Sequence, residues 1–321
     1  MLKSNHSNNT QPHLASSVVM VKPIDFGFNP QTAVDNSFQQ KPCQSDQQIQ
    51  TKAMQEFEQA QKVLQKLAID IITLDKSPSN IAQPDAIFPN NWFSTSSKGQ
   101  LTIFPMKTPN RQHEIQIDNL IVQLNKSGYQ VTETCDLRPI LKPDQILEGT
   151  GALVFHHPSR QVYTAISERC VSSAVDQYSQ QIGYQAVKFN TSSQLGNSVY
   201  HSNVVMSCGQ DFAILADSVI SQEQRKTVIQ QLENSVNDLL LISEQQMGHY
   251  FCGNLLQLID PKGQAVIALS RAAYNGFTRE QRNCLEQHGS LAVLAIETIE
   301  QVGGGSARCM LAENFLSRIN S

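Results

Sequence analysis

Short apolar runs broken by polar turns recur along the chain, and each pair of runs predicts two strands joined by a turn. Four segments have this pattern: IFPNNWFSTSSKGQLTIFPM, GALVFHHPSRQVYTAI, NVVMSCGQDFAILAD and NLLQLIDPKGQAVIALS. A helix-like segment follows each pair, and three of the four end at a glycine, the usual stop of a helix. A short strand comes next, as in YQVTE, YQAVKF, LLLIS and LAVLAI. The pattern therefore predicts a repeated unit of strand, strand, helix and strand.

The predicted units start near Pro84, Leu147, Tyr200 and Phe251, a spacing of roughly 50 to 60 residues that is typical of stacked or ring-like repeats. A fifth unit is completed if the chain closes on itself. The segment 303–309 would open it, SVVMVKP would join it, and QIQTKAMQEFEQAQKVLQKLA would be its helix. The predicted fold is α/β, a five-unit pseudo-symmetric propeller. A generic α/β sandwich stays open because short apolar runs do not fix topology.

Composition excludes several classes of function. The 321 residues are 40% hydrophobic and 16% charged, with a formal net charge of -4 and no basic face, which argues against a nucleic-acid partner. No apolar run reaches the length of a membrane helix. The polar start of the chain lacks the apolar centre of a signal peptide. We expect a disordered leader over residues 1–16, a single catalytic domain over 17–321, and a cytoplasmic protein with no membrane partner.

The cysteines do not form a metal or disulfide framework in the sequence. Seven are scattered along the chain, at positions 43, 135, 170, 208, 252, 284 and 309. No CxxC or CxH pair is present, so we expect no zinc site, and reduced thiols are the default in a cytoplasmic chain. No metal and no organic cofactor is predicted.

The stretch QVGGGSARCMLAENF singles out one of these thiols. Three glycines, which permit close backbone approaches, precede Arg308 and Cys309. A neighbouring cation favours the thiolate, the nucleophilic form of cysteine. On this stretch alone, a flexible loop with an ordinary buried cysteine stays open, because most cysteines are small core residues.

Ring closure would bring equivalent positions of the units to a common axis. A thiol, an imidazole, a carboxylate and amides stand just ahead of or within the first strand of successive units, at Asn90, Asn91, Glu148, His201, Asn254 and Cys309. A cysteine nucleophile needs an acid–base group and an orienting carboxylate, and His201 and Glu148 are of those types. Taken singly, His201 could be structural and Glu148 could form a turn or an ion pair.

The order of FPNNW, EGTGALV, YHSNVVM, ISERC and GGGSARCML resembles that of the guanidine-modifying enzymes. This superfamily contains the arginine deiminases, the amidinotransferases and the dimethylarginine hydrolases, and its fold is the five-unit α/β propeller. The resemblance runs from about Val18 to Phe315. The opening VVMVKPIDFGFN and the FPNNWF motif are most similar to the citrulline-hydrolase, arginine-deiminase-related branch.

The resemblance implies roles for individual residues. Cys309 would attack the central carbon of a guanidinium or ureido group, His201 would be the general acid and base, and Glu148 would hold a substrate N–H or assist proton transfer. Arg169 would pair with the substrate α-carboxylate, a geometry that suits the planar guanidinium fork. Asp85 is a weaker candidate, because Pro-Asp pairs also initiate turns.

Two departures from arginine deiminases bear on the substrate. Those enzymes carry aspartates where Asn91 and Asn203 stand here, and paired carboxylates grip a cation. Asparagine is neutral and offers both a donor and an acceptor, as a ureido group requires. The substitution favours citrulline over arginine, although an enzyme that hydrolyses an arginine guanidine twice would also handle a ureido intermediate.

The sequence therefore predicts a hydrolase of a carbon–nitrogen bond in a ureido or guanidino amino acid, with citrulline converted to ornithine, ammonia and carbon dioxide. Arginine deimination or dihydrolysis and amidino transfer are the near alternatives. A non-catalytic propeller that binds a ligand is the alternative from another class. The expected partner is a small amino-acid substrate, with Asn90 also in the binding site, and a homo-oligomer is left open.

Overall fold

The computed structural model describes residues 13–193, 196 and 198–319. Residues 1–12 of the predicted leader lie outside this part of the chain. Residues 13–16, which the sequence analysis also assigned to the leader, pack against the domain: Ala15 is buried, and its carbonyl accepts a hydrogen bond from the Ile259 amide (3.0 Å).

Five three-stranded sheets form the framework of the described chain. Their strands are β1 (Ser17–Val21), β2 (Asp70–Leu74) and β15 (Ala312–Asn314); β3 (Phe93–Thr95), β4 (Gln100–Ile103) and β5 (Glu133–Asp136); β6 (Val154–His156), β7 (Gln161–Ala165) and β8 (Gln185–Phe189); β9 (Met206–Cys208), β10 (Phe212–Leu215) and β11 (Asp238–Leu241); and β12 (Leu256–Ile259), β13 (Ala265–Ser270) and β14 (Ser290–Leu294).

Helices connect and cover these sheets. They are α1 (Asp46–Lys66), α2 (Pro109–Gln112), α3 (Ile117–Lys126), α4 (Gly149–Ala152), α5 (Ser172–Ile182), α6 (Ser202–Val205), α7 (Gln222–Glu233), α8 (Glu244–Tyr250), α9 (Arg271–Gly276), α10 (Arg279–His288), α11 (Glu297–Gly303) and α12 (Ala307–Met310). Two single 3₁₀ turns span Pro89–Asn91 and Asp217–Val219.

All five sheets share one connectivity. The central strand pairs antiparallel with one neighbour and parallel with the other, and at least one helix lies in the connection to the parallel strand. A parallel pair needs such a crossover, whereas the antiparallel pair needs only a turn. The predicted α/β class and the strand–strand–helix–strand order are therefore present in the structure.

One sheet joins the two ends of the described chain. Strand β1 pairs parallel with β2, after the long helix α1, and antiparallel with β15, where Ser17 lies opposite Asn314. The side chain of Asn314 donates to Ser17 Oγ (3.0 Å) and accepts from Thr95 Oγ1 (3.4 Å) in the next sheet. The predicted N-terminal strand of the fifth unit thus lies in the same sheet as the strand that follows Cys309, and the predicted helix connects two strands of that sheet.

The central strand of each sheet is almost wholly buried, whereas the parallel outer strands are partly exposed. Strand β1 is buried at every position, as is β7. Helix α1 packs one stripe against the sheets through Ile49, Ala53 and Phe57, at the spacing of a helical face. Its start is fixed by a capping box in which Ser45 and Gln48 satisfy each other's backbone amides.

Across the described residues, no helix combines the length and apolarity needed to cross a bilayer.

Candidate active site

Short turns ahead of the first strands carry the predicted site residues. Asn90 and Asn91 lie in the 3₁₀ turn before β3, Glu148 immediately precedes α4, His201 immediately precedes α6, and Cys309 lies within α12. The 3₁₀ turn contacts both α4 and α12, and α4 also contacts α6. All five side chains are buried. Residues more than two hundred positions apart are therefore gathered into one buried polar cluster.

Glu148 and His201 form a direct hydrogen-bonded pair. Glu148 Oε2 lies 2.8 Å from His201 Nε2, and Glu148 Oε1 accepts the backbone amide of Lys107 at 2.9 Å. Burial alone would raise the pKa of Glu148, but Arg169, the hydrogen bond from His201 and Arg111 together lower it well below its usual range. The carboxylate is ionised, so His201 carries its proton on Nε2 and presents the lone pair of Nδ1.

The two arginines near Glu148 also act on the imidazole. Burial lowers the pKa of His201, the hydrogen bond to Glu148 opposes this, and the charges of Arg169 and Arg111 lower it further. His201 is therefore neutral around pH 7, which is the form that accepts a proton.

Cys309 lies against two amides. Asn254 Nδ2 is 3.3 Å and Asn203 Nδ2 is 3.4 Å from Cys309 Sγ. Burial raises the pKa of the thiol, while the Ser306 backbone, the Asn254 amide and the charge of Arg308 work in the opposite direction. The charge of Arg308 lowers the thiol pKa, as predicted, but burial outweighs it. The Arg308 guanidinium is also paired with Glu313 at 2.9 Å.

Arg111 is a site residue that the sequence analysis missed. It is buried, and its Nε and Nη2 bind the buried carboxylate of Glu114 at 3.0 Å each. Its Nη1 donates to Asn91 Oδ1 at 2.7 Å and lies 3.9 Å from Glu148. The only local signal was an arginine and a glutamate three positions apart, which is the common pattern of an exposed helical ion pair.

Asp85 lies at the edge of the cluster and is fully buried. Its Oδ2 accepts hydrogen bonds from Asn29 Nδ2 (2.7 Å) and Thr32 Oγ1 (2.9 Å). Burial raises its pKa, against the opposing charge of Arg111. From the sequence, Asp85 is a weaker candidate for substrate binding, with turn formation as the alternative. Turn formation alone does not account for its side chain, which is held by two partners from the 29–32 segment.

Arg169 is engaged within the protein. Its Nε and Nη2 bind the carboxylate of Asp35, Nη2 also donates to the Thr32 carbonyl (3.1 Å), and Nη1 lies 3.6 Å from Glu148 Oε2. The guanidinium also stacks over the Tyr200 ring, 4.8 Å from its centroid. Its fork is occupied here by a protein carboxylate, and its predicted role toward a substrate carboxylate stays a prediction.

Several buried polar atoms of the cluster make no hydrogen bond to any described residue. They are Asp85 Oδ1, both side-chain polar atoms of Asn90, Asn91 Nδ2 and Asn203 Oδ1. Leaving such groups unsatisfied costs about 1–3 kcal/mol each, so native structures rarely concentrate them without a use. Four of the five predicted binding residues, all except Arg169, thus still have hydrogen-bonding capacity to offer a ligand.

The glycines of EGTGALV make this close packing possible. A Cβ on Gly149 would lie 2.5 Å from the Asn90 carbonyl, and its φ of +43° also disfavours a side chain. A Cβ on Gly151 would lie 2.2 Å from Asn91 Nδ2 and 2.8 Å from His201 Nδ1. The two glycines therefore let the turn after Glu148 approach the asparagines and the imidazole.

The family model of the eukaryotic N,N-dimethylarginine dimethylhydrolases matches residues 22–316. The match identifies the class of protein, an enzyme that modifies guanidino-type groups and acts on carbon–nitrogen bonds. The chain belongs to this family, which confirms the predicted guanidine-modifying superfamily. No curated protein matches the chain by sequence.

Solved structures with this fold share little sequence with the chain. A variant of the N-terminal domain of ArgZ bound to substrate, an arginine dihydrolase from the ornithine–ammonia cycle in cyanobacteria, has a TM-score of 0.67 and 13% identity, with 95% of this chain and 98% of that chain covered. SxtG, an amidinotransferase from Microseira wollei in the saxitoxin biosynthetic pathway, has a TM-score of 0.67 and 11% identity, with 98% of each chain covered. An AgrE variant with L-arginine has a TM-score of 0.66 and 12% identity, covering 95% of this chain and 40% of that one. At these identities the likeness shows the fold alone.

Proposed function

We propose that this enzyme hydrolyses the ureido group of citrulline to give ornithine, ammonia and carbon dioxide. The observation that carries the proposal is the orientation of Asn91. A guanidinium has only donors, so Arg111 Nη1, 2.7 Å away, requires the Asn91 side-chain oxygen to accept. Asn91 Nδ2, which has no partner among the described residues, is then left as a donor.

A donor at this position discriminates between substrates. The ureido group of citrulline has a carbonyl oxygen that needs a donor, whereas the guanidinium of arginine offers only N–H groups. An N–H facing another N–H leaves both unsatisfied, which costs about 1–3 kcal/mol in a buried site. Asn91, as Arg111 orients it, therefore favours the ureido group.

The remaining atoms complement the other side of a ureido group. Asn203 uses Nδ2 toward Cys309 Sγ, which leaves Asn203 Oδ1 as an unpartnered acceptor. Asp85 Oδ1 is a second unpartnered acceptor. These two oxygens suit the N–H groups of citrulline. Asn90, with both polar atoms free, would complete the binding site.

The proposed reaction proceeds through a covalent intermediate on Cys309. His201 takes the thiol proton of Cys309 at Nδ1, and the thiolate attacks the ureido carbon. Collapse of the tetrahedral adduct breaks the bond to the terminal nitrogen, which leaves as ammonia after taking that proton from His201. The resulting S-carbamoyl group keeps the carbonyl and the ornithine nitrogen. Water, deprotonated by His201, attacks this carbonyl and releases the thiol and a carbamate, which loses carbon dioxide to give ornithine.

Glu148 and Arg169 support His201 in this proposal. Glu148 fixes the Nε2–H tautomer of the imidazole and stabilises the imidazolium that forms when Nδ1 takes a proton. Arg169 holds Glu148 ionised. If Arg169 also binds the substrate α-carboxylate, as the sequence resemblance implies, that carboxylate has to replace Asp35 on its fork.

Arginine dihydrolysis is the second candidate, and Asp85 favours it. A free carboxylate oxygen in the site could accept from a guanidinium, and the AgrE structure with L-arginine has the same fold. Such an enzyme would hydrolyse arginine to citrulline at the same cysteine and then treat citrulline as above.

The products formed from different substrates distinguish citrulline hydrolysis from arginine dihydrolysis. Purified enzyme is given citrulline, arginine or dimethylarginine, and ammonia, ornithine and citrulline are quantified. We expect ornithine and ammonia from citrulline and at most slow turnover of arginine. Accumulation of citrulline from arginine or dimethylarginine, with no ornithine from citrulline, would overturn the proposal. Cys309→Ala should abolish turnover of every substrate, whereas Cys43→Ser, at an exposed thiol, should leave it unchanged.

Asn91→Asp tests the donor itself. An aspartate keeps the acceptor toward Arg111 but replaces the Nδ2 donor with a second acceptor. We expect the ratio of kcat/KM for arginine to kcat/KM for citrulline to rise at least about tenfold, equivalent to ~1.4 kcal/mol. An unchanged ratio would show that Asn91 Nδ2 does not donate a hydrogen bond to the ureido oxygen. Asn125→Asp, at an exposed position of α3, controls for the added charge.

We also propose that the five sheets surround a common axis as a closed, pseudo-symmetric propeller, with the site on that axis. The shared connectivity of the sheets and the pairing of β1 with both β2 and β15 support this arrangement. A crystal structure in which the sheets are not related by successive rotations of similar size would contradict it.

A further inference from the structure

Three side chains of types that can ligate a metal lie close together between α10 and β11. Asp238 is the first residue of β11, and Cys284 and His288 lie one helical turn apart in α10. Their ligand atoms are all within 4.8 Å of one another. Asp238 Oδ2 and His288 Nε2 are already 2.8 Å apart. Among the described residues, these three form a compact set of one oxygen, one nitrogen and one sulfur ligand.

The fold holds the histidine in place. The backbone carbonyl of His288 accepts a hydrogen bond from Gln257 Nε2 at 2.8 Å. The ring of Phe212 packs against the imidazole with centroids 4.9 Å apart. Because Cys284 is four residues earlier on the same helix, its sulfur lies on the same face as the imidazole. The three residues are partly buried, so solvent still has access to them.

We propose that Asp238, Cys284 and His288 bind a zinc-type divalent cation. Imidazole, thiolate and carboxylate are the ligands that zinc prefers, and three protein ligands with an open fourth position are a common zinc arrangement. Zinc–ligand bonds of about 2.0–2.3 Å place ligand atoms roughly 3–4 Å apart. The separations here are all within 4.8 Å, so none has to close by more than about 1 Å. Side-chain rotation at Cys284 or Asp238 would achieve this.

The bound cation would join two sheets. Asp238 belongs to the sheet β9–β10–β11, whereas α10 connects β13 and β14 of the next sheet. A cation that binds only the folded chain should raise the unfolding free energy with the logarithm of the free cation concentration, once that concentration exceeds the Kd. This site is separate from Cys309 and does not depend on the proposed substrate.

The competing explanation is an ion pair between His288 and Asp238 in which Cys284 takes no part. The two explanations differ in the state of the Cys284 sulfur. An ion pair needs no thiolate, whereas the proposed site makes a metal–sulfur bond and releases the thiol proton to solvent.

Cobalt, a spectroscopic substitute for zinc, distinguishes them. The full chain is used with Cys309→Ala, so that the active-site thiol cannot contribute. We expect one equivalent of Co²⁺ to produce a thiolate-to-cobalt charge-transfer band and the intense visible bands of a four-coordinate site, and Zn²⁺ to bleach both. Zn²⁺ should also raise the thermal unfolding midpoint of this variant by several degrees.

Variants in the same Cys309→Ala background assign the ligands. Adding Cys284→Ala should remove the charge-transfer band, and adding His288→Asn should weaken cobalt binding at least about tenfold, with circular dichroism checking that each variant is folded. Adding Cys43→Ser, at an exposed thiol, should change nothing. Absence of the band, or a band that survives Cys284→Ala, overturns the proposal.

Discussion

Glu300 is a buried carboxyl group that accepts a hydrogen bond from Ser306, the residue that precedes the short helix α12 with Cys309. Its Oε1 accepts the hydroxyl of Ser306 at 2.5 Å, and the Ser306 carbonyl accepts the backbone amide of Cys309 at 3.0 Å. Burial raises the pKa of Glu300 to about 7, despite hydrogen bonds from Ser306 and Ser270, and the charges of Glu297 and Glu56 add to the increase. The folded protein therefore keeps this proton over a pH range in which the unfolded chain has released it.

Glu300→Gln should change how stability depends on pH. With a raised pKa, Glu300 lowers the unfolding free energy as pH rises from about 4.5 to about 7, by at most about 3 kcal/mol. Glutamine keeps the acceptor and removes the titration, so the variant should gain stability relative to wild type between pH 5 and pH 8. Urea unfolding at both values measures this. A constant difference would contradict it, and the exposed Glu58→Gln provides the control.

The active form of the site holds one proton shared between Cys309 and His201, so kcat/KM should be level around neutral pH and fall on both sides. Burial raises the pKa of the Cys309 thiol and, together with the charges of Arg169 and Arg111, lowers the pKa of His201, so at pH 7 the thiol is protonated and the imidazole is neutral. We expect kcat/KM to fall below about pH 6, where His201 gains a second proton, and above about pH 9, where the thiol loses the proton that His201 passes to the leaving nitrogen. A profile of kcat/KM from about pH 5 to about pH 10 measures this. A steady rise across that range would contradict the proton transfer from Cys309 to His201.

At the residue scale, the sequence predicts which chemical types of side chain form the site, but not how the side chains are oriented within it. Cys309, His201 and Glu148 are of recognisable types in recognisable motifs. Arg111 was not predicted, because nothing in its neighbours along the chain indicates that it is buried. Its contact to Asn91, twenty positions away, nevertheless decides which atom of that amide remains free.

At the scale of elements, the four-residue helix α4 fixes the distance between the asparagines and His201. Such short turns have too few residues to show a periodic pattern, so the sequence analysis predicted the strand pairs around them but not the turns. Gly149 and Gly151 stand beside Glu148 in the motif EGTGALV. Their reason is tertiary, since the atoms that exclude a side chain come from other units.

Gly151→Ala should therefore damage the site without unfolding the protein. The new methyl group would lie 2.2 Å from Asn91 Nδ2 and 2.8 Å from two ring atoms of His201, so both side chains must move. A displacement of about 1 Å can cost a hundredfold in rate, and we expect kcat/KM to fall at least about tenfold. Gly27→Ala is the matched control, because a Cβ there meets nothing within 4 Å. Equal activity of the two variants would contradict the prediction.

At the scale of the whole molecule, the two ends of the described chain stabilise each other. Asn314 links β15 to Ser17 of β1 and to Thr95 of the neighbouring sheet. Because Cys309 lies just before β15, this sheet also anchors the nucleophile.

Asn314→Ala should lower the unfolding free energy by about 1–3 kcal/mol, since it leaves buried hydrogen-bonding partners unsatisfied. Denaturant unfolding measures the change. Asn125→Ala, on the exposed face of α3, should change it by less than about 0.5 kcal/mol. Equal effects of the two variants would show that the Asn314 hydrogen bonds contribute no more to the unfolding free energy than an exposed side chain of α3 does.

The sequence by itself determined the α/β class, the order of strands and helices, the superfamily and the chemical types in the site, because these follow from local periodicity and from motifs a few residues long. Only the tertiary structure decided that Arg169 is held by Asp35, that Arg111 orients Asn91, and which polar atoms stay free. Those facts depend on burial and on contacts between residues far apart in the chain, and a hydrogen bond is assigned only when both partners have been placed.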